Sequence, residues 1–302
     1  MTMKYLVTII LVLVVKMSIA QTVYKDSIFS GVNKTTYSYG TDELLKFDYY
    51  KAEEAKGPQP LIVFVHGGGF FMGVRDDETL QNFATKLAQC GYAVASVSYR
   101  LTMKDIGFGC NVETAKKIAA IDSASYDVSV AIKHLLDNND TFLIDKNNII
   151  LVGSSAGAEV VLNMAYVYDN KILPSKFSYA GVVSFAGALT TLENVHVDTA
   201  IPTQLFHGTG DKLVPYSIAP HHYCNQSEKG YLMLYGSESI AKRLKGLGAS
   251  YYFLSANGGS HDWSRLPMVN HVDEVVDFLY HDIINVTSIR QTDRNLNDLS
   301  MD

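Results

Sequence analysis

Cysteine is scarce in this chain, with three in 302 residues, at positions 90, 110 and 224. An odd count cannot pair completely within one chain, and three is too few for a small fold stapled by disulfides. Proline is nearly as rare, at 7 residues, so no Pro-rich linker divides the chain. Charge is low as well: 19% of residues are charged and the formal net charge is −6. That leaves no basic footprint for nucleic acid or an anionic membrane surface. The longest apolar stretch, Tyr5 to Val15, falls short of the roughly 20 residues that span a bilayer. What remains is apolar mass. At 47% hydrophobic, the chain can build a sizeable core and has none of the character of a disordered polymer. Its length suits a single large α/β domain acting on small or neutral substrates.

The N-terminus "MTMKYLVTIILVLVVKMSIAQ" places Lys4 before that apolar stretch and Ser18-Ile19-Ala20 after it. A short h-region ending in a small-x-small site reads as a signal peptide over residues 1–20, cleaved after Ala20, and predicts a secreted or periplasmic protein with no membrane span once cleaved. No cysteine follows to accept a lipid. Cys90 closes a helical pattern, "ETLQNFATKLAQC", and reads as a small buried residue. Cys110 and Cys224 both fall in long irregular segments, which makes them the better couple if one bridge forms.

Beyond the leader, "TTYSYG" and "LLKFDYYKA" suggest an antiparallel hairpin. Apolar strands then alternate with amphipathic helices. The strands are "PLIVFVHGGG", "YAVASVSYR", "NNIILVG", "YAGVVSFAG", "PTQLFHG" and "SYYFLSA", and the last helix is "MVNHVDEVVDFLYHDII". Strands that are apolar throughout predict a mostly parallel sheet covered on both faces. The domain is read as residues 21–286, followed by a polar, frayed tail over 287–302. In such sheets ligands bind beyond the carboxyl ends of the strands. "HGGGF", "YRLTM", "GSSAG", "HGTGD" and "NGGSHDW" each follow a strand and therefore share that edge.

Gly153-Ser154-Ser155-Ala156-Gly157 fits G-x-S-x-G, in which a sharp strand-to-helix turn exposes the central serine hydroxyl. The motif alone is also met in ordinary βα turns, so partners are needed. His66-Gly67-Gly68-Gly69-Phe70 offers unhindered backbone N–H groups that could face an oxyanion. It lacks the Lys-Ser/Thr of a P-loop, and His66 reads as an orienting residue rather than a base. Asp211 in "HGTGD" and His261 in "GSHDW" complete the order Ser155, Asp211, His261 expected for this topology. His261 would take the serine proton, and Asp211 would hold the imidazole tautomer. Asp262, Glu193 and Asp198 are the competing acids. The histidines are scattered and form no zinc motif, so neither metal nor cofactor is expected.

These motifs resemble the α/β-hydrolases of the HGGG carboxylesterase group, close to the hormone-sensitive-lipase-like and secreted bacterial carboxylesterase or feruloyl-esterase-like families. The resemblance rests on "HGGGF", "SVSYRL", "GSSAG", "HGTGDKLVP" and "GSHDW" and runs from the hairpin to the last helix. It implies an α/β-hydrolase fold, with a mostly parallel sheet, an antiparallel N-terminal hairpin and helices on both faces. It also implies an oxyanion hole from the N–H groups of Gly68, Gly69 and Ala156, and a secreted serine carboxylic-ester hydrolase acting through an acyl-enzyme. Many hormone-sensitive-lipase-like members carry an acid just before the nucleophile, where this chain has Ser154. The segments "LTMKDIGFGCNVET" and "PYSIAPHHYCNQSEKGYLMLYG" should overhang Ser155 and shape a pocket for small or sugar-linked esters, acetyl or feruloyl groups among them. An amidase, formamidase or peptidase on the same scaffold is the nearest rival. A non-catalytic binding protein is the reading from a different class.

Overall fold

The computed structural model describes residues 22–297. The leader read as a signal peptide, with its cleavage site, lies outside the described residues. In chain order the strands are β1 (Val32–Ser38), β2 (Lys46–Ala52), β3 (Gln59–Val65), β4 (Ala93–Val97), β5 (Ile144–Ser154), β6 (Gly181–Phe185), β7 (Ala188–Leu189), β8 (Thr203–Gly208), β9 (Ile218–Pro220), β10 (Met233–Gly236), β11 (Tyr251–Ala256) and β12 (Gln291–Leu296). The helices are α1 (Glu78–Gln89), α2 (Thr114–Asp137), α3 (Asn139–Phe142), α4 (Ala156–Tyr166), α5 (Ser237–Leu247), α6 (Pro267–Asn270) and α7 (Val272–Phe278). Nine strands form one sheet in the order β1-β2-β4-β3-β5-β6-β8-β11-β12. The pairings β1–β2 and β2–β4 are antiparallel and the rest are parallel.

Alternation along each strand divides the core into two layers. Leu61, Val63 and Val65 of β3 face one side with Ala124, Val128 and Ile132 of α2, Val160 and Val161 of α4, and Ile240 of α5. Ile62 and Phe64 face the other side with Phe83 and Leu87 of α1 and Val275 and Phe278 of α7. Both faces of the central strands are therefore dry, which is why they show no polar alternation. Among the described residues, no helix is long and apolar enough to cross a membrane.

Three expectations change. The 287–302 segment is not simply a frayed tail, because Gln291–Leu296 adds β12 in parallel register to β11. An edge strand can be polar because its outer surface stays wet. Here Asp293 accepts from Lys245 and the Tyr251 hydroxyl, and Arg294 bonds Glu274. The last helix is also broken. His271 leaves helical geometry (φ −129, ψ 27) between α6 and α7, with its ring against Trp263 and its Nδ1 3.0 Å from Glu274. A π-helical turn, Leu279–Ile284, follows α7. Finally, β7, β10 and β9 form a small antiparallel sheet within what reads as loop in the sequence.

Candidate active site

The turn from β5 into α4 is tight because its glycines allow it. A Cβ on Gly153 would lie 2.3 Å from the Gly157 carbonyl oxygen, and one on Gly157 would lie 2.1 Å from that of Val65. No side chain fits either gap, so strand and helix meet at backbone contact. The turn forces Ser155 to φ 53, ψ −121, a region that a non-glycine residue occupies only when its surroundings hold it there. The Ser155 N–H donates to Phe185 O at 2.9 Å, and the neighbouring Ser154 hydroxyl donates to Ser264 O at 2.7 Å. Ser154 is thus a buried tie between the elbow and the segment that carries His261.

His261 opens a short 3-10 turn, His261–Ser264, beyond β11. Its Nε2 lies 2.7 Å from Ser155 Oγ, and its Nδ1 lies 2.7 Å from Asp211 Oδ2. Asp211, beyond β8, is fully buried. Its Oδ1 accepts from the N–H groups of Leu213 (2.8 Å) and Val214 (3.1 Å), while Oδ2 also lies 3.3 Å from His207 Nε2. Burial would raise the carboxyl pKa, but bonds and charge from His207 and His261 outweigh it and hold Asp211 well below the usual carboxylate range. An ionised Asp211 accepts a hydrogen bond from His261 Nδ1–H, which leaves Nε2 as the acceptor for the Ser155 hydroxyl. The competing acids stand elsewhere. Asp262 is exposed and bonds the Ser260 hydroxyl, and Glu193 and Asp198 are exposed on the segment after β7.

Opposite the serine, Gly68 has φ +114, and a Cβ there would lie 2.0 Å from Met72 O. The turn is closed by Phe71 and Met72 N–H groups donating to Gly68 O. Among the described residues, neither Gly68 N–H nor Gly69 N–H has an acceptor. Ala156 is the first residue of α4, where the N–H has no partner within the helix. His66 is buried under the turn, with its Nδ1 2.7 Å from Gly67 O and its ring stacked on Tyr99. Burial lowers its pKa, so the ring is a neutral support.

These groups open into one cavity of about 490 Å³. Its outer wall is apolar, with Phe71, Met72, Val74 and Leu213 partly exposed around it. The two long segments both reach it. Phe108 comes from the first, and His221 and His222 from the second. A Cys110–Cys224 disulfide joins the two segments across 114 residues of sequence. The tyrosines of the second segment are not in the cavity wall: Tyr216 packs against His207 and Phe253 instead, and Tyr223 is exposed.

Three residues given no role by sequence reasoning stand at the site. His207 lies on β8, four positions before Asp211. Its Nε2 faces the acceptors Asp211 Oδ2 and Val214 O, and its Nδ1 lies 2.8 Å from the Ser237 hydroxyl. The proton therefore sits on Nε2, and His207 is a second donor to Asp211. Glu159 and Lys117 are buried beside the cavity. A lone acid in the apolar run "GAEVVLNMA", four residues past the serine, was the available signal for Glu159.

The sheet order, the elbow and the helices on both faces define the class: the chain has the α/β-hydrolase fold. Residues 47–193 match the BD-FAE family model. That stretch holds Gly68, Gly69 and Ser155 and ends before Asp211 and His261. The chain is 27% identical over 150 residues to Gut esterase 1 of Caenorhabditis elegans, which covers 48% of this chain and 26% of that protein. It is 26% identical over 173 residues to Secreted lipase 5 of Gibberella zeae, covering 54% and 31%. The chain thus spans about a quarter to a third of these relatives. Esterase 2 of Thermogutta terrifontis, solved in a form phosphonylated by cyclosarin, superposes with a TM-score of 0.60 at 18% identity, over 82% of this chain and 93% of that one.

Proposed function

We propose that the chain is a serine carboxylic-ester hydrolase acting through Ser155, His261 and Asp211. One observation carries the reading: an unbroken line of short hydrogen bonds runs from the strained Ser155 hydroxyl through both ring nitrogens of His261 to a buried, ionised Asp211. Ser155 Oγ attacks the ester carbonyl carbon while His261 Nε2 takes its proton. Negative charge gathers on the carbonyl oxygen, within reach of the N–H groups of Gly68, Gly69 and Ala156. Collapse of the tetrahedral adduct expels the alcohol, which receives the proton from Nε2 and leaves an acyl group on Ser155. Water, deprotonated by His261, attacks that acyl carbon and releases the acid. Asp211 remains ionised throughout and stabilises the imidazolium.

The cavity suits a small ester or one linked to a single sugar, acetyl and feruloyl esters included, with its apolar wall contacting the organic part. Export is the companion proposal. The Cys110–Cys224 bridge supports it, since such bonds persist in oxidising compartments, as does the name of the Gibberella zeae relative. The test is a panel of aryl, alkyl and sugar esters beside matched anilides, together with a serine-directed phosphonate. One label on the "GSSAG" peptide, lost with Ser155→Ala, and ester rates far above anilide rates are expected. Labelling that survives Ser155→Ala refutes the mechanism, and faster anilide cleavage replaces esterase with amidase.

A further inference from the structure

The cavity has a second chemistry at its buried end. Glu159 sits four residues after Ser155 on α4, where side chains lean back toward the helix N-terminus, and it lines the same cavity as Ser155. It is 2% exposed, and its Oε1 has no hydrogen-bond partner. An unpartnered carboxyl oxygen in a protein interior is costly enough to need a reason. His221 and His222 line the cavity too. Lys117, from α2, does not neutralise this wall by bonding Glu159. Its Nζ donates to Gly230 O at 2.8 Å and lies 3.3 Å from His221 Nδ1, so Nδ1 is the acceptor and Nε2 carries the proton.

Burial makes this wall uncharged. Burial pushes the Glu159 pKa up to about 8, against the pull of Lys117 and with the push of Asp211. Burial also pushes His221 well below its ordinary value and His222 down to about 4. Near neutrality the wall therefore presents a carboxylic acid and two neutral imidazoles. Glu159 and His222 each offer a donor and an acceptor, His221 offers its Nε2 proton, Nδ1 being taken by Lys117, and none carries charge. A hydroxyl group, which both donates and accepts, matches such a wall. A bare alkyl group leaves it unpartnered, and an anion finds no free cation among these groups.

We propose that Glu159 anchors a hydroxyl-binding subsite, so that the enzyme selects esters carrying a free hydroxyl on their acyl or alcohol part. The inference rests on the ester-hydrolase reading and deepens it. Glu159 is a specificity residue here, because the bond-making atoms belong to Ser155 and His261.

The experiment compares kcat/KM within two matched pairs. One is 4-nitrophenyl 3-hydroxybutyrate against 4-nitrophenyl butyrate, and the other is glyceryl monobutyrate against propyl butyrate. The first pair reports a hydroxyl on the acyl side, the second on the alcohol side. In one of them the wild type should favour the hydroxylated ester by roughly 10- to 100-fold, since a site built to bond a hydroxyl discriminates strongly against its absence. Glu159→Leu should bring that ratio close to one, and Glu159→Gln should retain part of it. Ser155 and His261 serve both members of a pair, so their titration cancels in the ratio. The wild-type ratio should change as pH passes about 8, where Glu159 becomes an acceptor only. Lys117 and Asp211 act on Glu159 and Glu159 acts on Tyr99, while His221 and His222 line the same cavity, and a pH-flat ratio in Glu159→Gln assigns the change to Glu159. That arm decides the matter if Glu159→Leu does not fold. A wild-type ratio near one in both pairs overturns the subsite, as does an equal fall for both members in the Leu variant. Failure to hydrolyse any of the four esters removes the esterase reading, and the subsite with it.

Discussion

Replacing Asp211 with asparagine tests the candidate triad at its most constrained point. The carboxylate receives four donors: the N–H groups of Leu213 and Val214 on Oδ1, and His261 Nδ1 and His207 Nε2 on Oδ2. An asparagine oxygen can keep the two backbone donors, which turns its NH2 toward both histidines. Against His261 the NH2 can only donate, so Nδ1 must become the acceptor and the proton moves to Nε2, facing Ser155. The ring then presents a proton where a lone pair is needed. In a serine protease with the same pattern of bonds, this change lowers kcat about 10⁴-fold, or ~5.5 kcal/mol at 1.36 kcal/mol per decade. A loss of roughly 10³- to 10⁴-fold is expected here. The second clash, with His207, has an escape. His207 can move its proton to Nδ1 and donate to the Ser237 hydroxyl, giving up its bond to Val214 O. Stability should therefore fall by only about 1–3 kcal/mol, the usual cost of one buried unmade bond. The assay is steady-state ester hydrolysis normalised to phosphonate-titrated sites, with a thermal melt on the same samples. A kcat loss below tenfold, or a larger loss for Asp262→Asn, would show that Asp211 is not the orienting acid.

The pH behaviour of Asp211 has a definite sign. Its folded pKa is depressed, so its contribution is complete above the ordinary carboxylate value of about 3.9 and is lost as pH falls below it. The stability gap between wild type and Asp211→Asn in acid denaturation should narrow in that window, and a gap that widens refutes the assignment. Glu159 has the opposite sign, because its folded pKa is raised to about 8. Glu159→Gln should gain on wild type by up to ~1.4 kcal/mol per pH unit as pH rises from the ordinary carboxylate range toward that value, then level off. Urea melts along a pH series measure it, and a constant difference refutes it. Ser154→Ala removes one buried bond to Ser264 O and should cost about 1 kcal/mol by thermal melt, with kcat within roughly tenfold. A loss comparable to Ser155→Ala would give Ser154 a larger part. Breaking the bridge with Cys110→Ser and Cys224→Ser frees a loop of 114 residues and should cost roughly 2–5 kcal/mol. KM should rise more than kcat falls, since both bridged segments supply cavity wall, and an unchanged melt and KM would remove the bridge from the account.

Much of the architecture was legible because it is written in local chemistry. Strands dry on both faces are apolar throughout, and βα turns at backbone contact are rich in glycine, so both stand out in one sequence. The preference for Cys110 and Cys224 as the pair was legible for a different reason, because Cys90 had a helix to belong to and the other two did not, but that the bridge forms at all was shown only by the fold. The elements that escaped lack such marks. β12 is polar because it forms a wet edge, so its apolar signal is weak by construction. β7 has two residues, below any period a pattern can show. The break at His271 follows from contacts with Trp263 and Glu274, and a helix-period pattern runs through it unchanged. Propensity was overruled by tertiary contact.

The same division runs through the site. Ser155, Asp211 and His261 announce themselves because each sits in a turn whose glycines are set by the path of the chain, and because topology fixes their order. His207, Lys117 and Glu159 sit inside regular elements or against buried walls, where the backbone asks nothing unusual. Each reads locally as an ordinary residue. Their importance comes from what surrounds them: the acceptors that decide the His207 tautomer, and the burial that keeps Glu159 protonated. The groups proposed to perform chemistry can thus be found from the turns that display them. The groups that tune it are visible only once burial and hydrogen-bond partners are known, and Glu159 is the case where the two meet, a tuning residue one helical turn from the serine.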